Sequence, residues 1–136
     1  MGLIPDTAPP GLISLRSALP VKESVDRLVH LLESKGLTVF CRVDHAAGAA
    51  AVGMQLRPTT VVIFGNAKGG TPLMQASQTI GIDLPLKVLA WEDASGQTWL
   101  SYNDPVWLTE RHGIQAAGAA SANAMRILLS TLTQAP

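Results

Sequence analysis

The chain has 136 residues, enough for one domain with a real core and no disulfide or metal staple. Apolar residues make up 47 % and charged residues 15 %, which excludes a disordered polar chain. Ten basic residues balance ten acidic ones and no basic cluster occurs, so nothing here attracts nucleic acid or an anionic membrane.

The opening "MGLIPDTAPPGL" has an acidic residue, three prolines and no long apolar run, and reads as neither a signal peptide nor a membrane span. Residues 1–10 are expected to be a flexible segment of a single domain covering 1–136. The single cysteine, Cys41, cannot form an internal disulfide. A soluble, cytoplasmic protein is the expectation.

In chain order, "LISLRSAL" (12–19) alternates as a first strand. Pro20 opens a helix whose stripe is Val21, Val25, Leu28, Val29 and Leu32, and Gly36 ends it. "LTVFCRV" (37–43) is a second strand, and Asp44 then caps a short alanine-rich helix. "PTTVVIFG" (58–65) is apolar on both faces, which places it inside a sheet. A helix from Thr71 to about Ile80 follows. "LPLKVLAW" and "QTWLSYN" form a hairpin across "EDASG". Pro105 starts a short helix ending near Gly113. The last helix, about 118–133, buries Met125, Leu128, Leu129 and Leu132. Strands are expected near 12–19, 38–43, 59–65, 85–92 and 97–103. The fold class is α+β, a mainly antiparallel sheet of about five strands with helices packed on one face.

The loop "FGNAKGGTPLMQ" (64–75) lies where many proteins hold phosphate. A Walker loop needs Lys after its last glycine, and Thr71 stands there instead. The Rossmann fingerprint is absent as well, so no nucleotide cofactor is assigned. Thr71 followed by Pro72 reads as a helix cap and a first helical position, with Gly69 and Gly70 turning at positive φ. Asp104-Pro105 repeats the cap-and-proline pattern. Free N–H groups at such starts can still hold an anion.

Four segments, "VDHAAGA", "RPTTVVIFGNAKGGTPLMQ", "IDLPLKVLAWED" and "SYNDPVWLTERHG", occur in an order that resembles the domain of unknown function 302 family over residues 10–135. The resemblance implies a compact α+β domain with a TATA-binding-protein-like β-α-β layout that often self-associates. It implies no reaction. Where the family has "FGNP" this chain has "FGNA", and Ala67 leaves the loop less rigid.

The candidate ligand-binding residues are Asp44, His45, Asn66, Thr71, Lys87, Tyr102, Asp104 and Arg111. They are expected to meet where Asp44-His45, the Gly65–Thr71 loop and the "YNDP" turn come together. Lys87 shares a strand face with Leu89 and Trp91, and is a buried cation needing a partner if that face is covered or a surface residue if it is open. Tyr102 reads as a core aromatic with its hydroxyl on a polar neighbour. Arg111 can bond helix carbonyls or Asp104. His45, His112 and Asp104 ligate a metal only if the fold gathers them, so no metal is assigned. The leading reading is a module that binds a small anion without chemistry. The alternative is an enzyme with His45 as general base and Lys87 or Arg111 stabilising negative charge. A homodimer is the expected state under either reading, because high apolar content and zero net charge oppose contact between copies little.

Overall fold

A computed structural model describes residues 8–133. Five strands form one antiparallel sheet: β1 (Leu12–Arg16), β2 (Thr38–Asp44), β3 (Thr59–Gly65), β4 (Leu86–Glu92) and β5 (Thr98–Asn103). Their spatial order is β1-β5-β4-β3-β2. The helices are α1 (Val21–Ser34), α2 (His45–Ala51), α3 (Ala67–Ala76), α4 (Pro105–Arg111) and α5 (Ala119–Ser130), with short 3-10 turns at Gln78–Asp83 and Gln115–Ala117.

The predicted stripe of α1, Val21, Val25, Leu28, Val29 and Leu32, is buried in full. It packs with Met125, Leu128 and Leu129 of α5 onto Val62, Phe64, Val88, Ala90, Leu100 and Tyr102 of the sheet. The period-2 geometry of each strand sends those residues to one face. The other face carries Val61, Ile63, Lys87, Leu89 and Trp91, all half-buried, and among the described residues neither α1 nor α5 packs on it. Helices therefore cover one face, as the alternation predicts.

Gly36 ends α1 with φ +77°. The amides of Gly36 and Leu37 turn back to the carbonyls of Glu33 and Leu32, which satisfies the last turn. Gly11 has φ +78°, and a Cβ there would lie 2.4 Å from the Trp107 ring. Only glycine lets the chain entering β1 pass that indole.

Three local expectations fail. The first strand stops at Arg16, because the Ser17 hydroxyl turns to Ser24 at 2.6 Å and the chain bends toward α1. The third helix starts at Ala67, with Asn66 rather than Thr71 as its cap. Asn66 Oδ1 accepts the Gly69 amide at 2.6 Å. A Cβ on Gly69 would lie 2.9 Å from that oxygen, so this glycine makes room for the cap. Gly69 and Gly70 are helical, and neither has the positive φ expected of them. Pro72 falls inside the helix.

Candidate functional site

Antiparallel pairing decides which strand ends meet. Thr38 pairs with Gly65, whereas Asp44 pairs with Thr60. The Asp44-His45 corner and the Gly65–Thr71 loop thus sit at opposite ends of β3, five residue steps or on the order of 16 Å apart at about 3.3 Å per residue. The three-way meeting expected from the sequence does not occur. Asp44 Oδ1 accepts the Ala47 amide at 2.9 Å, so this carboxylate caps α2 and makes no bond to His45. His45 is exposed.

The remaining candidates do lie toward the Gly65 end, but on different surfaces. Lys87 pairs with Ile63 on the helix-free face, and its Nζ donates to the Pro85 carbonyl at 3.2 Å. Asp104 caps α4 through the Val106 amide at 2.9 Å. Arg111 bonds Asp83 at 2.9 and 3.0 Å rather than Asp104. Tyr102 is a buried core aromatic, but its hydroxyl has no hydrogen-bond partner among the described residues. Burial raises its pKa, the Asp104 carboxylate raises it further, and Arg126 opposes both.

What the Gly65 end does hold is a cavity of about 510 Å³ between the sheet and α3, α4 and α5. Its floor is buried and apolar: Phe64, Ile80, Leu108, Met125 and Leu128. Its exposed rim includes Lys35, Phe40, Asn66 and Thr71. Asn66 and Thr71 are the two candidates from the sequence that line it. Lys35 was not among them, and its place directly after α1, beside the chain's turn into β2, is the one signal for it. The chemistry this arrangement allows is binding of a mainly apolar molecule with a polar group at the rim.

One wall of the cavity is the segment Gln78–Asp83, which contributes Ile80 and Gly81. Asp83 ties it to α4 through Arg111 and through His112 Nε2 at 2.6 Å. A carboxylate only accepts, so His112 carries its proton on Nε2 and donates to Asp83. Nδ1 lies 2.8 Å from the Thr79 hydroxyl, which can donate to it or accept from it. Among the described residues no group of three or more His, Cys, Asp or Glu side chains could hold a metal.

A five-stranded antiparallel sheet with helices on one face and a cavity at one end defines a compact α+β domain. The chain belongs to the family described as Domain of unknown function DUF302, whose sequence profile matches residues 13–132. Its fold is similar to that of an uncharacterized conserved DUF302 protein from Bacillus stearothermophilus, with a TM-score of 0.82 at 15 % identity over 91 % of this chain and 99 % of that one. It is also 45 % identical over 124 residues to the fluoride-specific ion channel FluC 1 of Brucella suis biovar 1 and to FluC 2 of Brucella melitensis biotype 1. Those matches cover 91 % of this chain but 49 % and 46 % of the relatives, so the chain spans about half the length of the curated relatives it matches. Among the described residues no helix is long and apolar enough to cross a membrane.

Proposed function

We propose that the chain is a small-molecule-binding module whose ligand lies in the cavity between the sheet and α3, α4 and α5. The carrying observation is a void of about 510 Å³ on a buried apolar floor. Ligand pockets are mainly apolar clefts of about 300–1,000 Å³ with a few polar groups. The small anion expected from the sequence becomes one group on a larger, mainly apolar molecule, because no ionisable side chain lies on the floor. The general-base alternative has less support, since His45 follows the Thr60 end of β3 while Lys87 pairs with Ile63, and among the described residues His45 has no orienting partner.

The test uses 1-decanol as an apolar probe and an Ala124→Trp variant. Ala124 lines the cavity yet is exposed, so the indole fills space without replacing core. Decanol raises the melting temperature of the wild type, as any ligand selective for the folded state does. The variant loses that shift. A wild type that decanol leaves unchanged refutes the reading.

The likeness to channel-named relatives supports a second statement. The region that matches them is an accessory part rather than the conducting part, because none of its described helices can span a bilayer. A cytoplasmic position suits the exposed, unpaired Cys41. Deleting the matching region from a Brucella relative leaves fluoride conduction in place. Complete loss of conduction in a correctly inserted truncation contradicts this.

A further inference from the structure

We infer that the cavity's ligand is an amphipathic monocarboxylate, with its alkyl or aryl body on the apolar floor and its carboxylate at Lys35. The inference rests on the binding reading above and adds the chemical class. Charge complementarity carries it. Among the described residues Lys35 is the only ionisable side chain lining the cavity, and no acidic residue lines it. Lys35 is exposed and has no ion-pair or hydrogen-bond partner among the described residues, whereas Lys22, Arg42 and Arg111 are held by Asp26 and Asp83.

Its position suits a head-group contact. Lys35 is the residue after α1, directly before the Gly36 turn, so its backbone is fixed while its long side chain is free at the rim. The Asn66 side chain is on the rim too, with its oxygen committed to the Gly69 amide, which leaves its NH₂ group as a donor. A cation and an amide donor over an apolar floor favour a carboxylate on a hydrocarbon. A dianion such as a phosphate ester has one cation for two charges here, and a cationic amphiphile meets like charge.

The expected magnitudes are modest. An exposed ion pair changes affinity by roughly two- to fivefold. Each methylene on the floor adds roughly fourfold. The hydrocarbon therefore sets affinity and Lys35 sets the choice of head group.

The experiment compares decanoate with 1-decanol on wild type, Lys35→Met and Lys35→Glu, by calorimetry at low and high salt. The ratio of decanoate to decanol affinity should fall by roughly two- to fivefold in Lys35→Met and further in Lys35→Glu. In wild type, added salt should weaken decanoate alone. A preference that is constant across the three proteins overturns the head-group assignment while leaving the cavity reading intact. Failure of both probes to bind wild type removes the cavity reading and this inference together. Lys35 is exposed, and equal melting temperatures of the unliganded proteins confirm that each variant folds.

Discussion

Asp93 shows how one side chain organises a hairpin. Its Oδ1 accepts the Ser95 and Gln97 amides, each at 2.9 Å, and its Oδ2 accepts the Trp99 indole N–H at 2.9 Å. The Trp99 bond, first, and the Gln97 and Ser95 amides hold its pKa below the ordinary value of 3.8. A depressed carboxylate stabilises the fold in full above the unfolded value and loses that contribution as pH falls through the folded one. Asp93→Asn should therefore melt below wild type at neutral pH. The gap should narrow as pH falls below 3.8 and close once pH is below the lowered folded value. A melting-temperature gap that stays constant over that range contradicts the assignment. The same indole stacks on Trp91 with ring centroids 6.4 Å apart, so the turn and the helix-free face are coupled.

At the scale of elements, the cavity wall depends on Asp83. Asp83→Asn keeps the shape but removes the charge that Arg111 and His112 share. Losing charge-assisted hydrogen bonds of this kind costs roughly 1–3 kcal/mol. Amide exchange should speed up across Gln78–Asp83 and the end of α4 and stay slow in β3, β4 and β5. Uniform acceleration across the sheet would mean that the cluster supports the whole fold instead. Much of the element layout was legible in the sequence, because α1, α5 and the β4–β5 hairpin have strong periodicity and clear stop signals. The site was less legible. Pattern alone groups Asp44-His45 with the Gly65 loop, because strand ends look alike in sequence. The short α2 connection in fact makes β2 and β3 antiparallel and sends their ends apart. Thr71 stands out by its helix-start pattern and Asn66 by its place at a strand end, and the cap proves to be Asn66. Lys35 and the apolar floor were missed because the cavity is assembled from residues of β3, α3, α4 and α5 that are far apart in the chain.

For the whole molecule, the open sheet face and the cavity call for different partners. Ile63, Leu89 and Trp91 form an apolar strip with no helix over it. Five strands at about 4.8 Å spacing and six residues at about 3.3 Å give roughly 480 Å², below the ~800 Å² per partner of a stable complex. Self-association through this face is therefore expected to be weak. Leu89→Lys should abolish a dimer formed through this face, as read by light scattering at tens of micromolar, an order-of-magnitude choice of concentration. A dimer that survives the substitution uses another surface.

Small-molecule binding at the Gly65 end is tested most directly by amide chemical shifts of the isotopically labelled protein titrated with 1-decanol. The account predicts saturable shifts at Gly70, Ile80, Leu108 and Ser121, which line the cavity from three helices and a 3-10 turn. Asp44 and His45, at the far end of the sheet, should not move. No saturable shift at the cavity residues, or shifts confined to the helix-free face around Leu89 and Trp91, would contradict it.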